Sequence, residues 1–338
     1  MVNIRTPIEI KGKIIRNRIV MPPMATELST EKGEVTEELI KHYEERSKGP
    51  GLVIVEHSYI AKNGKASLRQ LGIYSDELID GLKRLAEAIK GNGAIALIQL
   101  NHAGGRTSSK IIGEKPIAPS PVKLPIWIEE PREITLRDLF NIKEAFKKAV
   151  ERAIKAGFDG VEIHGAHGFL LNQFFSPITN KRLDAYGGTL EKRMRLPIEI
   201  VSEIRKILGG NKILSYRLGA DDLMPNGTTI KDSIKFAMKL ENEGIDILNI
   251  SGGLCGSRPQ QLEGQQGYFI PLAEKIKMYM KIPVIGVGGI RDPEYANEVI
   301  KSRKVDMVAV GRAILEDPKW VEKALERIKF NNFNNDVK

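Results

Sequence analysis

Two histidines lie three residues apart, His164 and His167, in the segment HGAHGFLLNQFFSPITNKRLDAYGG, although the chain has only five histidines. A neutral imidazole donates one hydrogen bond and accepts another, and imidazole also binds metal ions. The pair marks a candidate functional site, and one interpretation of it is a metal site. A metal would need a further ligand, for which Glu162 is the candidate. We predict no metal.

Four other polar residues stand at the ends of short apolar runs: His57, Gln99, His102 and Arg217. If the runs are parallel strands of a barrel, these residues meet at its carboxyl end, where functional residues lie. His102 is expected to hydrogen-bond loop backbone. The Gln99 amide and the Arg217 cation suit a planar heterocycle with adjacent N–H and C=O groups. The alternative for Arg217 is an ion pair with Asp221 or Asp222.

Two glycine motifs follow the last two apolar runs, at Gly288-Gly289 and at Gly311-Arg312. Bare backbone N–H groups can approach an anion closely, and a guanidinium can bind it with two hydrogen bonds. In barrels of parallel strands a phosphate is commonly held at these two positions. The motifs predict a phosphate site, and the alternative for the GVGG motif is only a tight turn.

Eight short apolar runs alternate with segments of helical spacing. The runs span 18–24, 51–58, 94–102, 160–167, 213–220, 246–253, 283–289 and 307–312. The helical segments span 36–49, 75–93, 135–157, 190–210, 230–244, 292–304 and 317–328. Apolar strands that alternate with helices indicate a parallel sheet buried on both faces. Eight such units predict an α/β fold, a single (β/α)8 TIM barrel.

A doubly wound open sheet is the main alternative fold, but it would place a glycine-rich turn directly after the first strand, and RIVMPPMATELS has none. No linker indicates a second domain, so 1–338 is predicted to form one domain. The proline-rich insertion 104–131, after strand 3, is predicted to be a long loop or lid over one mouth of the barrel. The segment 329–338 is predicted to be a frayed tail.

Composition excludes several classes of function. The chain has 52 basic and 43 acidic residues, but no segment combines clustered basic residues with aromatic ones, so no nucleic-acid partner is predicted. The single cysteine, Cys255, can form neither an internal disulfide nor a cysteine-ligated cluster, which favours a reducing compartment. Without a signal sequence or a run of about 20 apolar residues, we expect a cytoplasmic protein with no membrane partner.

The histidine segment, together with NRIVMPPMAT, IQLNHAGGR, SYRLGADD, ISGG, VGGI and VAVGR, resembles the Old Yellow Enzyme family of FMN-dependent NAD(P)H oxidoreductases. It is also similar to the barrel domain of bacterial 2,4-dienoyl-CoA reductases. The resemblance extends from about Pro7 to about Ile328. It implies the cofactors FMN and NAD(P)H and the reduction of activated C=C bonds in α,β-unsaturated carbonyl compounds, by hydride transfer from flavin N5.

The resemblance also implies a role for each matching residue. Flavin contacts are implied for Pro22, Pro23, Met24, Ala25, His57 (the O4 edge), Gln99 (the pyrimidine edge) and Arg217 (N1 and O2). Phosphate contacts are implied for Gly288, Gly289, Gly311 and Arg312. His164 and His167 would hydrogen-bond the substrate carbonyl and stabilise the negative charge that develops on it.

Three residues depart from the family pattern. Ala25 stands where members usually have Cys or Thr near flavin N5. Phe169 stands where many members have a tyrosine that protonates the substrate, so either the proton is expected from Tyr59, His57 or water, or the physiological acceptor needs no such donor. Glu27 stands where a subgroup has a substrate-contacting tyrosine. Glu27 and Phe169 are expected to contact the substrate, whose identity these departures leave open.

Larger relatives continue into an iron–sulfur site and a second nucleotide-binding domain. This chain ends at Lys338 with one cysteine, so it is expected to take hydride directly from NAD(P)H unless a partner electron-transfer subunit delivers the electrons. A homo-oligomer is also expected. Two alternatives stay open: a flavin-carrying electron-transfer subunit, and an enoyl- or dienoyl-CoA reductase component. An FMN-dependent tRNA dihydrouridine synthase is disfavoured, because its catalytic cysteine and C-terminal helical domain are missing.

Overall fold

The computed structural model describes residues 2–125 and 127–335, and the eight predicted runs form eight parallel strands that close into a barrel. The strands are Ile19–Met21 (β1), Leu52–Tyr59 (β2), Ile95–Asn101 (β3), Gly160–Gly165 (β4), Ile213–Gly219 (β5), Ile247–Ser251 (β6), Val284–Val287 (β7) and Met307–Ala309 (β8). Each strand pairs with its neighbours in chain order, and β8 pairs with β1 to close the ring. The predicted (β/α)8 barrel is confirmed.

In the described part of the chain, one helix of the outer ring follows each strand. These helices are Glu37–Arg46 (α1), Ile79–Gly91 (α2), Leu136–Lys155 (α3), Leu190–Leu208 (α4), Ile230–Asn242 (α5), Ile270–Lys277 (α6), Pro293–Lys301 (α7) and Trp320–Asn335 (α8). Threonine side chains cap several of them, as Thr135 and Thr229 do in full capping boxes. The sequence patterns did not predict α6, because it is short and Phe269 at its start provides no side-chain cap.

The barrel interior has an apolar lower part and a polar upper part. Along β3, Leu97 lies in the lower interior cluster, Ile98 packs outward against the helices, and Gln99 faces inward again. The lower cluster is closed by Ile10 and Ile15, from an N-terminal hairpin of Ile8–Ile10 and Lys13–Ile15. The cavity of the protein therefore lies at the carboxyl ends of the strands.

The described part of the insertion 104–131 packs against the loops at that end of the barrel. It contains a short helix, Ser109–Ile112, and the strand Ile117–Ala118, which pairs with Arg132–Glu133. Trp127 is buried in a small cluster with Leu254, which follows β6. This contact fixes the insertion to the strand ends that position the site.

The C-terminal helix extends to the end of the described residues. Helix α8 continues to Asn335, into the segment 329–338 that was predicted to fray, and 336–338 lie outside the described residues. Among residues 2–125 and 127–335, no helix is both long enough and apolar enough to cross a membrane.

Candidate active site

A cavity of about 360 Å³ opens at the carboxyl ends of the strands. Thirteen of the predicted site residues line it: Pro22, Pro23, Met24, Ala25, His57, Gln99, His164, His167, Phe169, Arg217, Gly289, Gly311 and Arg312. The residues come from seven of the eight strands or the loops after them. The barrel therefore collects side chains that are far apart in sequence, as its topology requires.

Two predicted residues do not line the cavity. Gly288 is next to Gly289, and its carbonyl accepts hydrogen bonds from the Gly267 and Tyr268 backbone N–H groups. Glu27, expected to contact substrate, is exposed and uses its carboxylate to accept from the Ser67 hydroxyl and the Arg69 N–H. Glu27 thus ties the loop after β1 to a neighbouring loop, a contact that a sequence motif does not reveal.

The glycines at the ends of β7 and β8 leave a narrow open space. A Cβ on Gly289 would come within 2.9 Å of the Arg312 guanidinium, and one on Gly288 within 2.8 Å of the Tyr268 backbone nitrogen. Both glycines have positive φ, 131° at Gly288 and 63° at Gly289. Of these two glycines, Gly289 lines the cavity, with the Arg312 guanidinium beside it.

A buried network under the cavity fixes Gln99 and faces Arg217. The Glu162 carboxylate accepts from Gln99 Nε2 at 2.8 Å, from Ser215 Oγ at 2.9 Å and from Asn249 Nδ2 at 2.9 Å. Burial raises the pKa of Glu162, an effect that the Arg217 cation opposes. Because the Gln99 N–H₂ group points down to Glu162, its carbonyl oxygen is left for a ligand above.

Arg217 does not form the alternative ion pair with Asp221 or Asp222. The Asp222 carboxylate accepts instead from Ser176, Thr228 and Leu254. The Arg217 Nε is buried and has no hydrogen-bond partner, and one terminal nitrogen donates to Ser251 Oγ at 3.4 Å. A buried, unpaired guanidinium N–H beside an open cavity points to a missing acceptor.

His57 is held in one tautomer by Gln70. The Gln70 orientation is fixed, because its carbonyl accepts from the Ala66 N–H at 2.6 Å and its N–H₂ group donates to the His57 carbonyl at 2.9 Å. The same N–H₂ group lies 2.7 Å from His57 Nδ1, which must therefore accept. Burial lowers the pKa of His57 to about 4. His57 is thus neutral and presents an Nε2–H donor.

His164 and His167 meet edge to face, with ring centroids 5.1 Å apart at 90°. His164 Nδ1 accepts from the Ala166 N–H at 3.3 Å, which leaves its proton on Nε2. His167 Nε2 lies 2.7 Å from Ser251 Oγ, which also accepts from Arg217. One nitrogen of the neutral His167 ring carries a proton and is a donor. Burial lowers the pKa of both rings well below the ordinary value. The pair consists of two neutral donors.

His102 and Glu162, the two remaining polar candidates, both bind protein groups. His102 accepts from the Gly104 N–H at 3.1 Å and contacts Asn63, so it binds loop groups as predicted. Glu162, considered as a metal ligand, is engaged by three side-chain donors. Within the described ranges, no cluster of three or more His, Cys, Asp or Glu residues suited to a metal is found.

The departures at Phe169 and Ala25 leave apolar groups in the cavity. The Phe169 ring lies 5.2 Å from the His57 ring and 4.9 Å from the His164 ring. Thr26, beside Ala25, turns away, because its hydroxyl donates to Glu56 at 2.7 Å. The hydroxyl of Tyr59 donates to the Lys32 carbonyl at 2.9 Å, outside the cavity lining.

The cavity also has lining residues that the sequence did not predict: Arg106, Ser251, Ser257, Arg258, Tyr268, Val287, Ile290 and Leu315. Arg106 and Ser251 were inside the motifs IQLNHAGGR and ISGG, so their place on the strand-end loops was a usable signal. Tyr268 and Arg258 come from the long loop after β6, which no motif marked. Loop conformation, rather than strand order, brings these two residues to the cavity.

Comparison with known proteins agrees with this geometry. A model of the NADH:flavin oxidoreductase / NADH oxidase family matches residues 3–331. The chain is 43% identical over 323 residues to an NADH oxidase of Thermoanaerobacter brockii, covering 94% of this chain and 50% of that one. It is 39% identical over 317 residues to an NADPH dehydrogenase of Geobacillus sp. (strain WCH70), covering 93% and 91%.

Solved structures are similar over nearly the whole chain. A 2-naphthoyl-CoA reductase in complex with 2-naphthoyl-CoA gives a TM-score of 0.91 at 28% identity, covering 96% of this chain and 52% of that one. An old yellow enzyme homologue from Zymomonas mobilis gives 0.85 at 25% identity, covering 96% and 93%. This chain therefore spans about half the length of some relatives and nearly all of others.

The fold and the cavity define a flavin-dependent oxidoreductase built on a (β/α)8 barrel. The chain belongs to the NADH:flavin oxidoreductase / NADH oxidase family, and the resemblance to the Old Yellow Enzyme family is confirmed. The predicted cofactors, FMN and NAD(P)H, are confirmed at the level of this family. The residues present fit FMN, because the cavity has an open glycine cradle beside Arg312 and an orphaned Arg217 Nε.

Proposed function

We propose that this chain reduces the activated C=C bond of α,β-unsaturated carbonyl compounds. The observation that carries the proposal is the pair His164 and His167, whose neutral rings lie at the wall of the cavity that Gln99 and Arg217 also line. Two N–H donors that converge on one carbonyl oxygen stabilise the enolate-like charge that hydride addition creates. Because both rings are neutral, they bind the oxygen by hydrogen bonds and do not transfer a proton to it.

The residues that would hold FMN are the ones with open or orphaned polar groups. Gly289, Gly311 and Arg312 would bind its phosphate, while Gln99 and Arg217 would bind its pyrimidine edge. Pro22, Pro23, Met24, Ala25 and His57 would line its ring, and Gly288 would support the phosphate turn. When bound there, FMN would provide the hydride chemistry, with NAD(P)H as the reductant and the β-carbon as the acceptor.

The second hydrogen of the reduction must reach the α-carbon as a proton. Phe169 has no acidic hydrogen, and the Tyr59 hydroxyl is bound to the Lys32 carbonyl. Burial also raises the pKa of Tyr59 above its ordinary value. Burial lowers the pKa of His57 to about 4, so its ring is neutral and is a very weak acid. We therefore propose water as the proton donor.

The test combines turnover with a binding spectrum of the purified flavoprotein. We expect NADH or NADPH to reduce the bound flavin, and 2-cyclohexenone to reoxidise it with continuous turnover. We also expect p-hydroxybenzaldehyde to give a long-wavelength charge-transfer band, because its phenolate stacks on the flavin. His164→Ala with His167→Ala should remove the band and lower kcat/KM by about 10²-fold or more, since oxyanion donors are lost.

His42→Ala is the matched control, because His42 lies on α1 and outside the cavity lining. It should retain both the band and the turnover. If the double variant loses its flavin, the two histidines build the cofactor site and the proposed role is wrong. Flavin that NAD(P)H cannot reduce would instead support the electron-transfer subunit, which receives electrons from a partner.

A further inference from the structure

Among the residues that the structure describes, four arginines and three histidines line the cavity, and no aspartate or glutamate does. Two of the arginines have a use in the proposed function, Arg312 at the phosphate and Arg217 at the pyrimidine edge. Arg258 is exposed at the mouth, so water screens its charge. Arg106 remains as a cation inside the cavity without an assigned anion.

Arg106 is anchored but not neutralised. Its guanidinium lies 4.9 Å from the Phe169 ring centre and donates to the His167 carbonyl. Burial lowers the pKa of Arg106, and among residues 2–125 and 127–335 it forms no ion pair. Arg182, on the loop after β4, shows the contrast, because it pairs with both Asp184 and Glu133.

A half-buried cation without a carboxylate is costly to keep, because it has lost much of its hydration. The carbonyl and the ring that contact Arg106 are weak partners by comparison with a carboxylate. Arg106 lines the cavity, and its Nε and Nη2 groups are not fully buried. A ligand in the cavity can therefore accept hydrogen bonds from them. The missing partner therefore has to come from a ligand.

The position of Arg106 places this ligand next to the histidine pair. Arg106 and His164 contact the same Phe169 ring, and Arg106 also binds the backbone of His167. Burial is the main cause of the lowered pKa of His57, His164 and His167, and the Arg106 charge adds to it. A small molecule whose carbonyl binds the histidines has Arg106 within reach of a second polar group.

We infer that Arg106 is an anion-binding subsite and that the compound reduced here is an α,β-unsaturated carbonyl compound with a carboxylate substituent. The inference rests on the proposed function and adds the substrate class to it. The planar guanidinium matches the two oxygens of a carboxylate. The carbonyl oxygen binds His164 and His167, while the carboxylate binds Arg106 above the Phe169 ring.

The test compares a charged acceptor with its neutral ester in the FMN-loaded enzyme. The probes are 3-oxocyclohex-1-ene-1-carboxylate and its methyl ester, and the variants are Arg106→Gln and Arg106→Lys, with Arg258→Gln as the matched control. We expect Arg106→Gln to lower kcat/KM for the acid about 10- to 100-fold, as for loss of a charged hydrogen bond, and for the ester less than about threefold. Arg106→Lys should fall between, and Arg258→Gln should keep the wild-type preference.

Equilibrium binding to the oxidised enzyme, followed by flavin absorbance without NAD(P)H, separates this inference from the proposed function. Weaker binding of the acid alone in Arg106→Gln supports the subsite even if neither probe is reduced, an outcome that would reject the proposed function. Equal losses for acid and ester would show that Arg106 only clamps His167. A raised KM for NADPH with an unchanged acid preference would assign Arg106 to the nicotinamide cofactor's phosphates. Either result overturns the inference.

Discussion

The lower and upper halves of the barrel interior are built by the same strands and have opposite chemistry. On β5, Ile213 lies in the lower apolar cluster and Ser215 and Arg217 lie above it, in the polar network. A fully buried aliphatic side chain contributes about 1.5–3 kcal/mol to stability, whereas a buried ionic network roughly breaks even. The lower half stabilises the ring, and the upper half keeps charged groups where a ligand needs them.

The largest expected effect is acid destabilisation of the upper half. Burial lowers the pKa of His57 and His102 to about 4, so between pH 6.5 and 4 the unfolded chain binds protons that the native chain excludes. The stability that each contributes above pH 6.5, about 3 kcal/mol, is lost as pH falls toward 4. Urea denaturation across this pH range measures the loss.

Glu56 acts in the opposite direction and provides the control. Burial raises its pKa to about 7, so its contribution is present below pH 4.5 and is lost as pH rises through 7. Glu56→Gln should therefore steepen the loss of stability on acidification. If the stability of Glu56→Gln does not fall between pH 6.5 and 4, His57 and His102 are already protonated in the native protein.

The next effect concerns the lower half alone. Ile54→Ala should lower the free energy of unfolding by about 2–5 kcal/mol, and Ile54→Val by about 0.5–1.5 kcal/mol, because a cavity opens in a closely packed cluster. The dissociation constant of FMN, measured by fluorescence titration of the folded variants, should stay within about twofold. A parallel loss of FMN affinity would show that the two halves are not independent.

A smaller effect on stability than that of Ile54→Ala is expected for Glu162→Gln in the upper half. The amide cannot accept from all three donors that now contact the carboxylate, so we expect a loss of about 1–3 kcal/mol. Arg217 also loses its counter-charge, so the midpoint potential of bound FMN should become more positive. Spectroelectrochemical titration measures this shift. Glu199 lies on α4, outside the cavity lining, and its carboxylate accepts from Lys143 at 3.1 Å. Glu199→Gln should leave the potential unchanged, and an unchanged potential in Glu162→Gln would exclude its electrostatic role.

The same contrast explains what the sequence predicted. The strands and most cavity residues were found because apolar runs end in polar residues at the carboxyl edge, a pattern that depends only on barrel topology. Arg106 and Tyr268 were missed because loops position them. The exposed contact of Glu27 and the inward turn of Thr26 toward Glu56 depend on hydrogen bonds between separate segments. Such contacts leave no periodic pattern in the sequence.

The loop after β1 makes the protein useful for dissecting flavin chemistry. Two hydrogen bonds from Thr26 to Glu56 fix the backbone of that loop, so the methyl group of Ala25 is held in place without any contribution from its own side chain. Exchanging Ala25 for cysteine, threonine or serine then changes one functional group against a constant scaffold. Because the alanine methyl group forms no hydrogen bond, the effect of each substituted side chain on the flavin potential can be measured separately.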